Sequence, residues 1–323
     1  MSTKTKKCLL CKGESVVKRG IQDGLQIYWC RGCNHRFRNE RKKKDHIIDD
    51  MWNMYVFRKQ TIRELREIYH IDKKTIVSYL NQYIPKKKVH NPRPVNLVAD
   101  GTYFGTRKNR MSWCIVVFRD PKEKENLWWG YGEAETESIY REGRMYLESL
   151  GYTILSVTGD GFGGLRSSFL PIPFQMCLIH MYRLVVRGTT NKPKLLQGQI
   201  LLALARTLFD TTEEIFRERL QKYIEQYRDF LNEKTKSELT GDTWYVHDDL
   251  RRAVLSLHRF LPYLFTYKKD IRIPSTTNSL EGHFRHVKEI IAIHGGMSRI
   301  QKERVLDSIM LEGSIVPKKK KGI

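Results

Sequence analysis

The chain has 323 residues, 40% of them hydrophobic and 11% aromatic, which excludes a disordered basic protein and leaves room for two or three domains. Lys and Arg number 58 against 36 Asp and Glu, a formal charge of +22, so the expected partner is a polyanion, most simply DNA or RNA. No run of about 18 apolar residues is present, which excludes a membrane span, and the amino-terminal lysines are followed by no apolar stretch of the kind a signal peptide needs.

The first element is marked by two Cys-x-x-Cys knuckles, Cys8/Cys11 and Cys30/Cys33. Their separation falls in the range of a four-cysteine zinc site, where two knuckles close a tetrahedral Zn²⁺ shell. Between them, Val16, Val17, Ile21, Leu25, Ile27, Tyr28 and Trp29 supply strand residues and Asp23-Gly24 a turn. A zinc ribbon over residues 1–40 is expected, the alternative being a pair of disulfides. A closed four-thiolate site is structural and leaves no position for an activated water. The remaining cysteines, Cys114 and Cys177, stand far apart. That usage suits a reducing cytoplasm, and a cytoplasmic, nucleoid-associated protein is expected.

Residues 1–45 hold 13 Lys/Arg and four acids. A basic linker, Arg41 to Lys44, leads into a helical module at 45–90. Ile62, Leu65 and Ile68 form one apolar face, and Ile76, Val77 and Leu80 another. His70 to Lys74 makes the turn between them, with Asp72 able to cap the second helix. This pattern predicts a helix-turn-helix whose second helix presents Lys73, Lys74, Thr75, Ser78 and Tyr79 to DNA. A helical hairpin with a solvated basic face is the alternative.

Pro85, Pro92 and Pro94 mark the next boundary. Strands are predicted at Val95–Asp100, Met111–Phe118, Asn126–Tyr131 and Thr153–Gly159, with a further one at Phe174–Cys177 and a helix over 137–150. Hairpin-forming strands followed by helix–strand alternation predict an α/β fold with a mixed sheet and helices on its faces. Residues 193–265 read as nearly all helical, a helical insertion or subdomain. A last helix is predicted from Thr277 to His294, ending at Gly295-Gly296, and the segment from 301 to 323 as a basic tail closing on Lys318–Lys321.

Asp100 follows the apolar strand Val95–Ala99, and Asp160 follows Ile154–Gly159. Two strand-end acids of one sheet can converge on a cation. Glu281 lies in Thr277-Asn278-Ser279-Leu280-Glu281-Gly282, at the start of the last helix. Three carboxylates suit Mg²⁺ or Mn²⁺, and paired metals activate an attacking oxygen and stabilise the leaving oxygen of a phosphodiester. Each acid also has a plain reading. Asp-Gly pairs end strands in turns, and Asn278 with Glu281 is a capping-box pattern.

The segments Asp100-Gly101-Thr102, Thr158-Gly159-Asp160-Gly161 and Thr277-Asn278-Ser279-Leu280-Glu281-Gly282 resemble the three acidic motifs of Mutator-type transposases of bacterial insertion sequences. Cys177-Leu178-Ile179-His180 resembles the Cys-x-x-His motif that follows the second acid in that family. The match spans about residues 95–296. It implies an RNase H-like catalytic core (95–190, completed by the helix at 271–300), interrupted by a helical insertion (191–270). It also implies an Asp100-Asp160-Glu281 triad holding Mg²⁺, two kinds of DNA partner (transposon ends and target), and a homodimer on DNA. In this picture Trp244, inside the insertion, stacks on a displaced base; a core aromatic is the alternative. Cys177 and His180 read as a structural or DNA-contact pair, or as a zinc half-site completed by His283 and His286. A DNA-binding regulator without catalysis, or an RNase H-like nuclease, are the competing functions. A tyrosine recombinase, suggested by His283-Phe284-Arg285, needs a downstream tyrosine, and none follows Tyr267.

Overall fold

The computed structural model describes residues 6–8, 10–22, 25–38, 44–105 and 112–312. The chain divides into two compact units, Met1–Ile84 and Pro85–Ile323. Among the described residues no helix is long and apolar enough to cross a membrane.

In the first unit, β1 (Val16–Gln22), β2 (Leu25–Cys30) and β3 (Arg36–Arg38) form an antiparallel sheet in the order β1-β2-β3. The β1–β2 register breaks between Lys18 and Ile21, where Gly20 takes a φ of 81°. That bulge uses a backbone region glycine enters without penalty. The expected turn at Asp23-Gly24 and the linker at 41–43 lie outside the described residues. Helices α1 (Lys44–Val56), α2 (Ile62–Tyr69) and α3 (Lys73–Gln82) follow. They bury Met51, Trp52, Leu65, Ile76 and Leu80 among themselves. Thr61 and Glu64 cap α2 reciprocally: the Glu64 N–H donates to Thr61 Oγ1 (3.3 Å) and the Thr61 N–H to Glu64 Oε2 (2.7 Å). His70 ends α2 in the left-handed region, and Asp72 accepts the Thr75 N–H at 3.0 Å to start α3. The helix–turn–helix succession thus follows from its capping residues. Ile68, expected on the apolar face, is instead 45% exposed.

The second unit is built on a five-stranded sheet of β4 (Pro94–Phe104), β5 (Trp113–Asp120), β6 (Glu125–Gly132), β7 (Thr153–Gly159) and β8 (Phe174–Met176), in the order β6-β5-β4-β7-β8. β4, β5 and β6 are antiparallel, while β7 and β8 run parallel to β4. Two faces are covered. On one, Gly143 of α4 (Glu137–Ser149) lets the helix close on Phe118 and Trp128, and a shared core continues under α5 (Gly163–Ser168) and α6 (Leu178–Thr189). On the other lie α12 (Asn278–Ile293) and α13 (Arg299–Glu312). There Asn126 accepts from Arg119 and donates to His283 Nε2 (3.1 Å) and to the Met310 carbonyl (3.0 Å). Asp307 accepts from Trp129 Nε1 and the Tyr131 hydroxyl.

Between α6 and α12 the chain forms α7 (Leu196–Arg206), a 3₁₀ turn (Thr207–Phe209), α8 (Glu213–Gln226), α9 (Arg228–Asn232), β9 (Lys234–Lys236), β10 (Thr243–Tyr245), α10 (Asp248–Leu264) and α11 (Thr266–Lys269). α10 packs along α6 and against β8, so the insertion shares the sheet's core. Two expectations are corrected. The 193–265 stretch holds strand as well as helix, because β9 and β10 pair as an antiparallel hairpin around the Ser237–Asp242 turn. The segment from 301 is not all tail, because α13 runs to Glu312 and buries Val305, Leu306, Ile309 and Met310. Residues 313–323, with the lysine run, lie outside the described residues.

Candidate active site

β4 and β7 run side by side from Pro94↔Thr153 to Val98↔Thr158 and then separate. β7 stops at Gly159, whereas β4 continues along β5, pairing Asp100 with Val117 and Phe104 with Trp113. Asp100 is therefore not at the strand's end, as expected, but within an 11-residue strand. The antiparallel neighbour β5 extends β4 past the point where the parallel one leaves. Asp160 follows β7 directly, so the two acids flank that parting. Asp100 Oδ1 accepts the Gly101 N–H (2.9 Å), and Asp160 Oδ1 accepts the Phe162 N–H (3.0 Å) in an Asx turn.

Glu281 enters from α12, the helix packed on β4. Thr277 is the N-cap, and the capping box expected of Asn278 and Glu281 is absent: no side chain caps the helix from within. The Glu281 carboxylate is gripped by Arg183 of α6 instead. Nη1 binds Oε1, Nη2 lies 3.1 Å from Oε2, and His180 Nε2 is 3.7 Å from Oε1.

Sequence reasoning missed a fourth acid. Glu135 lies between β6 and α4, and its carboxylate covers Gly101 so closely that a Cβ there would sit 1.7 Å from Oε1. No motif spacing marks it; only the sheet order brings the β6–α4 connection to the same end as Asp100. Arg183 was also missed, although its position three residues after His180 puts both on one helix face.

The electrostatics show these groups acting on one another. Burial raises Asp100 to about 6, the charges of Asp160 and Glu281 push the same way, and His180 opposes them. Glu135 rises to about 7 through burial and the charges of Asp160 and Asp100. Burial works against a charged His180, but the Cys177 thiol and the Asp100 and Asp160 carboxylates raise it to about 9. Cys177 is fully buried. Burial opposes its ionisation, yet hydrogen bonding from His180 and Thr277 brings it below the usual thiol value. The alternative of a zinc half-site with His283 and His286 is not what forms. His283 turns away to Asn126, and burial, Arg119 and His286 lower it to about 4.

The four carboxylates are oxygen donors of the kind a hard divalent ion takes, and the Arg183 guanidinium is a cation beside them rather than a ligand. Their oxygens are not drawn together as a ready-made ligand group. Among the described residues only Cys8, Cys11, Cys30 and Cys33 form a group whose ligand atoms all lie within 4.8 Å of one another. Cys8 and Cys33 sulfurs are 3.5 Å apart and Cys11 and Cys30 sulfurs 3.6 Å, and all four are free thiols. A tetrahedral Zn²⁺ with ~2.3 Å bonds needs sulfurs about 3.8 Å apart, so the cluster fits a four-thiolate zinc shell and not disulfides.

The remaining site expectations fall elsewhere. Lys73, Lys74 and Ser78 are exposed on α3, with Thr75 and Tyr79 half-buried. The Thr75 hydroxyl donates to Asp72 Oδ2 at 2.6 Å, so it belongs to the cap. Trp244 is not a core aromatic: it lies on β10, paired with Thr235 and 51% exposed. Beside it, Arg251 and Lys234 stack on Tyr245.

No known family profile matches this sequence, and no curated protein does. Among solved structures it is similar to a simian T-cell lymphotropic virus intasome in complex with PP2A regulatory subunit B56 gamma. The identity is 11%, over 61% of this chain and 74% of that chain, and the TM-score is 0.22.

Proposed function

We propose that this chain is a DNA transposase that cuts transposon ends and joins them to target DNA at the acid cluster of the second unit. The observation carrying this reading is that Asp100 and Asp160 flank the point where β4 and β7 part, with Glu135 over Gly101 and the charge of Glu281 reaching Asp100, in a chain of charge +22. The sheet supports it: three antiparallel strands, then two parallel ones added beside the first, is the strand order of an RNase H-like core.

Asp100 and Asp160 would hold the divalent ions, and Glu281 would complete the shell from α12. Mg²⁺ or Mn²⁺ held there would lower the pKa of an attacking oxygen and offset charge on the phosphate. The side chains position that oxygen. Water attacks phosphorus, the P–O3′ bond breaks, and the 3′-oxygen leaves as a hydroxyl. That 3′-hydroxyl then attacks a target phosphodiester: its oxygen bonds to phosphorus as the target's own P–O3′ bond breaks and the target 3′-oxygen leaves as a hydroxyl, with no enzyme-bound intermediate. Arg183, released from Glu281, is placed to meet a phosphate oxygen. The first unit, with Zn²⁺ on its four cysteines, recognises the ends through α3. Trp244 stacks on a displaced base, and two copies pair the ends.

The test is cleavage of oligonucleotides taken from the DNA flanking the reading frame, where this reading expects inverted repeats. Asp100→Asn and Asp160→Asn should bind ends normally and lose hydrolysis and strand transfer by roughly a thousandfold or more. A Glu281→Gln chain that cuts at near wild-type rate in Mg²⁺ would break the triad. Cleavage without any strand transfer would favour a nuclease.

A further inference from the structure

Cys177 stands where β8 meets α6, and its sulfur faces a segment a hundred residues away. The Thr277 N–H donates to Sγ at 3.3 Å, and the Thr277 hydroxyl lies 3.5 Å from Sγ and 3.4 Å from His180 Nδ1. Thr277 is the N-cap of α12. In a capping box the N–H of that residue is taken by a side chain three residues on. Here no such side chain serves, and the sulfur takes the N–H from across the fold. Adjacent bonds reinforce the docking. The Leu178 N–H donates to the Ser275 carbonyl (3.0 Å), and the Thr158 hydroxyl to the Pro274 carbonyl (2.6 Å). Residues 274–277 are thereby fastened to β7 and α6, the elements that present Asp160, His180 and Arg183.

We propose that Cys177 is a positioning residue: it caps α12 in trans and thereby sets where the Glu281 carboxylate stands relative to Asp100 and Asp160. Glu281 lies four residues, about one turn, beyond Thr277. A shift of the cap therefore moves the carboxylate with it. The Cys-x-x-His spacing acquires a geometric reason. His180, at the third position of α6, reaches the same Thr277 hydroxyl and carries the contact on to Glu281. That Glu281 takes part in catalysis rests on the reading above; the capping does not.

The test compares Cys177→Ala, which removes the acceptor, with Cys177→Ser, which keeps a smaller one, in the full chain. Amide hydrogen exchange at residues 277–282, Mn²⁺ affinity against an Asp100→Asn background, end affinity and single-turnover cleavage are measured together. For Cys177→Ala, exchange at Thr277 should quicken roughly five- to tenfold, and Mn²⁺ affinity and the cleavage rate should fall by a similar factor. End affinity should not change. Cys177→Ser should recover most of each loss, which general loosening of the fold would not produce. Wild-type exchange in Cys177→Ala, or equal behaviour of Ala and Ser, overturns the capping role. Faster Thr277 exchange with unchanged Mn²⁺ affinity and cleavage overturns its link to Glu281. Faster exchange in a chain whose wild type cuts no end keeps the cap and discards the transposase reading.

Discussion

The Glu135 carboxylate occupies the volume that any side chain at position 101 would need. Gly101 is thus tied to Glu135 by sterics rather than by backbone angle. This makes a paired prediction. Gly101→Ala should expel Glu135 and weaken divalent-ion binding as much as Glu135→Gln does, and the double variant should be no worse than either single one. Calorimetric titration with Mn²⁺ checks this; additive losses would mean that the two residues act separately. Glu281 gives a second residue-scale expectation. Its pairing with Arg183 is bidentate, but Arg183 is half exposed, so the ion pair contributes no more than about 1 kcal/mol to stability. Glu281→Gln should therefore leave the melting temperature nearly unchanged while removing cleavage. A large drop in melting temperature would make Glu281 a structural residue.

At the scale of elements, the ribbon and the short helices behave differently. The ribbon's buried core is little more than Cys8, Cys30 and Phe37, with Val16, Tyr28 and Cys33 against it. So small a cluster does not hold a fold without its ion. One Zn²⁺ per chain is expected, and Cys8→Ser should unfold residues 6–38. Metal analysis of reduced protein and exchange of the β1–β2 amides check both points. In the helices, Asp72→Ala should cost about 1 kcal/mol through loss of the α3 cap. Lys73→Ala and Lys74→Ala should each lower the slope of log affinity against log salt by about 0.9, if each contacts one phosphate. Elements with strong local signals were legible in the sequence. The apolar strands of the sheet, the knuckles, the Asp72 cap and α12 each declare themselves within a dozen residues. The β9–β10 hairpin did not, because its three-residue strands, Lys234-Thr235-Lys236 and Thr243-Trp244-Tyr245, bury almost nothing. Its one signal was Thr240-Gly241-Asp242, where Gly241 has a φ of 74°. α13 was hidden by its charges. Its buried face includes Ser308, and Asp307 beside it is committed to Trp129 and Tyr131, partners visible only once the sheet is assembled. Asp100 and Asp160 were found because each follows a run of mostly apolar residues. Glu135 comes after a strand too, but a Glu133-Ala134 bend separates it from any pattern.

For the molecule as a whole, a chain of charge +22 concentrates carboxylates at one point of its second unit, and that concentration links stability to both pH and cations. Asp100 moves from an ordinary 3.8 to about 6 and Glu135 from 4.5 to about 7, each first through burial and then through neighbouring acids. A carboxyl with a raised folded pKa binds its proton more tightly in the native state. Its contribution to stability is complete below about pH 4, and is lost as pH rises through 6 to 7. His180 extends the trend, because its rise from 6.5 to about 9 adds stability that is full below pH 6.5 and lost through pH 9. With no Mg²⁺ added, the chain should therefore lose stability steadily from pH 5 to pH 8. Mg²⁺ binds the ionised carboxylates and not the protonated ones, so it should raise the melting temperature little at pH 5 and by several degrees at pH 8, in proportion to the logarithm of its concentration over Kd. Asp100→Asn should reduce the pH dependence to the part that Glu135 and His180 contribute, and abolish the Mg²⁺ shift. Scanning calorimetry at the two pH values, with zinc kept saturating so that the ribbon does not respond, measures each quantity. An Mg²⁺ shift equal at pH 5 and pH 8, or one that survives Asp100→Asn, would place the ion elsewhere and leave the four acids without their cation.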